Sequence, residues 1–135
     1  MDNSEKKRLL NSYRRIMSQI KALSEALEYT RALIHSPIYD GMPHGSRKKD
    51  LSDLVIKEIE YTNEMQGLID KKLDTLRRID DLIEAMDNEK EKEVLTRRYI
   101  EFQTPEQVAV AIGKSYRQTM RLHRAAVNHF GEVKE

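Results

Sequence analysis

The 135-residue chain has no cysteine, which excludes disulfides, a thiolate nucleophile and zinc fingers of the cysteine type. Its five glycines and three prolines fall well below ordinary usage of roughly 7% and 5%. Few places can therefore break regular structure. No segment approaches the roughly 18 apolar residues of a membrane span, and the N-terminal MDNSEKKRLL lacks the apolar core of a signal peptide. The expectation is a soluble cytoplasmic protein with no membrane partner. A large net charge is missing too: 24 Lys plus Arg stand against 23 Asp plus Glu, a balance of +1, so overall charge does not speak for or against nucleic acid.

Chemistry-bearing motifs are equally scarce. The sequence offers no Ser/His/Asp set, no phosphate-binding glycine loop and no cofactor fingerprint. His35, His44, His123 and His129 form no helical i, i+4 pair and have no cysteine companion, so no metal site is expected. The carboxylates of EYTNE and IDDLIE lie in strongly charged helical segments, where acidic pairs are routine. The expectation is a non-enzyme without cofactors.

What is present is helical patterning. Charged residues make up 35% of the chain and apolar ones 39%, a mixture suited to helices that each bury one stripe. Leu9, Tyr13, Ile16, Ile20, Leu23, Leu27 and Ile34, with Thr30 in the one gap, step by four and three, the seam of a coiled coil. Ser4 is the expected N-cap. HSPIYDGMPHGSRKKD then interrupts the pattern. Pro37 and Pro43 remove amide donors and Gly41 and Gly45 permit positive φ, predicting a loop at about 35–50. The run Arg47, Lys48, Lys49 at its end reads as solvated, with phosphate contact the alternative.

A second helix is predicted over about 51–86, with Asp50 as N-cap. Its seam is Leu51, Val55, Ile59, Thr62, Met65, Ile69, Leu76, Ile79, Ile83 and Met86, roughly 50 Å long. Two such helices joined by one loop fold back most simply as a long antiparallel hairpin, a coiled coil. Both stripes are broad, so apolar surface is left over. A homo-oligomer is expected, a dimer before a larger bundle. The charge-rich MDNEKEKEV places a domain boundary near residue 88, giving a hairpin domain over 1–87 and a second domain over 88–135.

The second domain reads as three short helices. The first, at about 89–100, presents Val94, Leu95, Tyr99 and Ile100. Thr104, Pro105 and Gln107 then supply an N-cap, a first-position proline and a capping box for a helix over 105–112. Gly113 marks a tight turn. Ser115 caps a third helix over 116–129, with Thr119, Leu122, Ala126 and Phe130 as its apolar face and His123 flanking. This is the helix-turn-helix plan, although a plain helical hairpin has the same pattern.

Charge separates those two readings. Between residues 104 and 130, Lys114, Arg117, Arg121 and Arg124 face only Glu106. The three arginines step by four and three along the side opposite the apolar face. Tyr116 and Gln118 lie near the start of the third helix, where a recognition helix meets base edges. Arginine can read guanine, glutamine can read adenine, and lysine or arginine can hold phosphates. The expected DNA-binding residues are Lys114, Ser115, Tyr116, Arg117, Gln118, Arg121 and Arg124; the plainer alternative is a solvated arginine face.

EKEVLTRRYIEFQTPEQVAVAIGKSYRQTMRLHRAAV resembles region 4 of sigma-70-type factors. The whole chain is similar to phage-encoded regulators of the RinA and ArpU type, with a long helical first half, a Pro- and Gly-containing loop and a terminal sigma-like module. The resemblance implies transcriptional control of phage or prophage genes inside a bacterial host. It further implies binding to double-stranded promoter DNA, with host RNA polymerase as a second partner. Ser115, Tyr116, Arg117, Gln118 and Arg121 match the recognition-helix positions. Thr119, where Val or Ile is usual, and Lys114, where an apolar residue often follows the glycine, depart from the pattern. Two alternatives stay open: a phage small terminase subunit that recognises packaging DNA, and a helical adaptor that binds only protein.

Overall fold

The structure is a computed structural model that describes residues 1–36 and 44–132, with the side chains of 44–49 excepted. It is all-helical, with no strand among the described residues. The order is α1 (Asn3–Ile34), α2 (His44–Glu84), α3 (Glu89–Leu95), a single π-helical turn (Thr96–Ile100), α4 (Pro105–Ile112) and α5 (Tyr116–His129). The expected Pro37, Gly41 and Pro43 fall outside the described residues, as do the side chains of Arg47, Lys48 and Lys49.

Two helix starts differ from expectation. At α1, Asp2 rather than Ser4 is the capping side chain: its Oδ1 accepts from the Glu5 amide at 2.8 Å, and Glu5 Oε2 accepts from the Asp2 amide at 3.2 Å. α2 begins at His44, so Asp50 lies inside the helix instead of capping it. Residues 44–50, expected to belong to the loop, are thus helical.

The chain divides into two compact units. In Met17–Lys71 the core is thin. Among the described residues, Leu27 and Thr30 are the buried side chains of this unit. The Thr30 hydroxyl donates to the Ala26 carbonyl at 2.8 Å, which satisfies it within its own helix. Arg31 reaches Glu58 of α2 at 3.7 Å. Within this unit the half-buried residues of α2 are Leu54, Glu58, Tyr61, Met65, Leu68 and Ile69. Leu51, Val55, Ile56 and Ile59 are 36–56% exposed. The expected seam through Leu51, Val55 and Ile59 is therefore not the one used inside this unit. Two apolar stripes overlap on α2, one neighbouring helix can cover only one, and periodicity alone does not say which.

The other unit joins Met1–Ile16 to Lys72–Glu135. Leu10, Tyr13 and Ile16 of α1 are buried, as are Ile79, Ile83 and Met86, then Val94, Leu95 and Tyr99, Val108 and Ala109, and Ala126, Val127 and Phe130. Each large apolar side chain withdrawn in this way contributes about 1.5–3 kcal/mol, which makes this the well-supported part of the molecule. Between the π turn and α4, Phe102 adopts a left-handed φ of 59°, costly for a non-glycine residue. Its ring is held by Tyr13, with centroids 5.5 Å apart, and by the Arg14 guanidinium 5.2 Å above it.

Candidate nucleic-acid interface

The segment that presents the basic residues is built by local signals. Thr104 Oγ1 accepts from the Gln107 amide at 3.2 Å, and Gln107 Oε1 accepts from the Thr104 amide at 2.8 Å. Pro105 occupies the first helical position, where its missing N–H costs nothing. α4 ends at Gly113 with φ 68°. A Cβ there would meet nothing within 4 Å, so the turn requires glycine for its backbone conformation, not for space. The Lys114 amide then donates to the Ala109 carbonyl at 3.0 Å.

α5 begins three residues after the glycine, with Ser115 as its N-cap. Ser115 Oγ accepts from the Gln118 amide and Gln118 Oε1 accepts from the Ser115 amide, both at 3.1 Å. Gln118 thus spends its carbonyl oxygen on the cap, leaving Nε2 as the group able to meet a base or phosphate. Thr119 is buried, and its hydroxyl donates to the Ser115 carbonyl at 2.8 Å. A threonine can stand in this core because its polar atom is satisfied one turn back.

The structure places Arg117, Arg121 and Arg124 on the exposed side of α5, with Tyr116 and Gln118 also exposed at its start. Lys114 is half-buried. Lys114, Gln118 and Arg121 share a shallow depression with Leu122 and with Lys90 of α3. Lys90 is a cation the sequence pattern does not reveal, since only folding brings α3 alongside α5. α5 itself contains no acidic residue, so the charged side chains on its outward side are all cations.

α5 is held in place by three interactions with no local sequence signature. Glu91 is 5% exposed, and its carboxylate oxygens lie 2.9 and 3.0 Å from His129 Nδ1. Lys6 is 2% exposed and donates to the Asn128 carbonyl at 2.6 Å and to Glu132 Oε1 at 2.7 Å. A cation at the carbonyl end of a helix is favourable. The Lys6 hydrogen bond and charge in turn hold the Glu132 carboxyl below its ordinary range. Lys6→Ala is expected to cost about 2 kcal/mol, because it leaves a helix-end carbonyl unpaired and removes a packed aliphatic stem. Urea unfolding checks this; an unchanged midpoint would mean that water serves the carbonyl equally well.

The third interaction joins His123 Nε2 to the Tyr99 hydroxyl at 2.7 Å. Burial lowers the His123 pKa, with Arg98 and Lys7 adding like-charge repulsion. Burial raises that of Tyr99 against the opposing pull of Arg98 and Arg14. Burial thus favours a neutral imidazole and an un-ionised phenol as the two partners of this hydrogen bond. In the unfolded chain this histidine takes up a proton more readily than in the folded one, so acid favours unfolding. The contribution is complete above the ordinary value of about 6.5 and is lost as pH falls through the lower folded value. The thermal midpoint is expected to drop between about pH 7 and 5, and His123→Gln should flatten that drop. An unchanged slope in the variant would contradict the assignment.

No family model matches this chain, nor does any curated protein or solved structure. Among the described residues no three His, Asp or Glu side chains come together as a metal site, and no helix is long and apolar enough to cross a membrane.

Proposed function

We propose that the protein is a sequence-specific regulator of transcription that binds double-stranded DNA, with α5 as a recognition helix in the major groove. On this reading residues 88–135 form a sigma-70 region 4-like helix-turn-helix domain in which α4 supports α5. The long helices of residues 1–87 form an antiparallel hairpin that serves assembly or contact with RNA polymerase. The observation that carries the reading is the outward face of α5. Arg117, Arg121 and Arg124 stand on it together, at a spacing that suits bases and phosphates along one groove. Lys114 and Lys90 flank it as phosphate-binding groups. The resemblance to phage regulators of the RinA and ArpU type points to phage or prophage promoters as targets.

The test is a fluorescence-anisotropy titration of the full chain against DNA from upstream of its own gene, at about 50 and 200 mM salt. Binding that weakens with salt yet prefers this DNA over scrambled sequence is expected. Absence of binding at both salt concentrations would sink the proposal.

A further inference from the structure

α2 carries a second apolar stripe that its own unit leaves uncovered. Leu51, Val55, Ile56 and Ile59 are exposed, and the exposed Thr62 and Gln66 and the half-buried Ile69 continue the same face at coiled-coil spacing. The seam positions Val55, Ile59, Thr62, Gln66 and Ile69 hold no charged residue, and Asp53, Lys57, Glu60 and Glu64 share the far side; Glu58, one heptad after Leu51, borders the seam and is paired with Arg31 of its own chain. In a chain that is 35% charged, an uncharged seam with four exposed large apolar side chains on or beside it calls for a cover. The unit also needs one, since its only buried apolar side chain among the described residues is Leu27.

We infer that this face pairs with the same face of a second copy, the two α2 helices running antiparallel about a two-fold axis. The order of residues names the partner. Along the seam, Ile59, Thr62, Gln66 and Ile69 read apolar, polar, polar, apolar, and the pattern is unchanged when reversed. Antiparallel pairing sets Ile59 against Ile69 of the other copy and Thr62 against Gln66, so like meets like and the two polar side chains can hydrogen-bond. Val55 extends the apolar part outward. A face that complements its own reverse is what a two-fold, isologous interface requires. The seam itself carries no charge for a charged partner to select, and Glu58 at its border is already paired with Arg31. The polar pair at the centre sets the register, as a polar seam residue does in coiled coils. Two helices from each copy then supply the bundle core that one copy lacks.

Sedimentation equilibrium of the full chain should give twice the chain mass, and Ile59→Glu with Ile69→Glu should weaken association at least 100-fold while helicity by circular dichroism is retained. A cross-linking arm does not depend on that variant folding, because the native chain has no cysteine. Thr62→Cys with Gln66→Cys should oxidise to a covalent dimer. Val55→Cys alone should not, since the two copies of this residue lie about 27 Å apart in the antiparallel register. Four results would overturn the inference: a single-chain mass at about 100 µM, a closed ring of many subunits, association untouched by the glutamates, or efficient cross-linking of Val55→Cys.

Discussion

Replacing Arg117 and Arg121 together by alanine is expected to weaken binding to the protein's own upstream DNA by about 100-fold or more. Each arginine that reads a base bidentately is worth about 1–3 kcal/mol, and removing one phosphate-binding cation lowers the salt dependence by about one unit of slope. The double variant should therefore bind more weakly and respond less to salt. Its fold should be intact, because both side chains are exposed and neither is part of the Ser115 cap. The control is Lys57→Ala, an exposed cation on α2, which should leave affinity unchanged. An equal fall in affinity in both variants would reduce the effect to general charge and remove the case for a recognition helix.

The second large effect concerns stability. Phe130 is completely buried at the end of α5, and its amide closes the helix on the Ala126 carbonyl at 2.9 Å. Phe130→Ala is expected to cost about 3–5 kcal/mol, the range for emptying a large aromatic from a packed core. Against a total stability of about 5–15 kcal/mol, that is a large share. Unfolding should become easier and DNA binding should fall with it, since α5 loses the anchor that orients its basic face. Val110→Ala, at a strongly exposed position of α4, should cost less than about 0.5 kcal/mol. Denaturant unfolding of the two variants side by side checks both numbers. A small cost at Phe130 would mean that the end of α5 is held by its polar interactions with Lys6 and Glu91 instead.

The boundaries of α4 and α5 are legible in the sequence because their signals are local. Thr104, Pro105 and Gln107 start one helix, Gly113 stops it and Ser115 starts the next, all within a few residues. The heptad spacing of α1 and α2 is legible for the same reason. Legibility ends where distant residues decide. Lys6 and Asn128 are 122 positions apart, and Glu91 and His129 are 38 apart, so nothing near any of them announces the pairing. The π turn at Thr96–Ile100 likewise replaces what reads as the end of an ordinary helix. Lys90 joins the basic surface only through folding. On α2, two stripes satisfy the same periodicity, and only packing shows which one faces inward. The candidate site is legible as a set of residue types on one face, whereas the interactions that hold that face in place are not.

On the proposed function, α5 meets base edges in the major groove. Methylation interference tests it most directly, because methyl groups at guanine N7 project into that groove and block arginine. The protein is expected to reject upstream DNA methylated at particular guanines, and Arg121→Ala should lose sensitivity at one of those positions while keeping it at others. Interference at no guanine, or an identical pattern in wild type and variant, would contradict the reading.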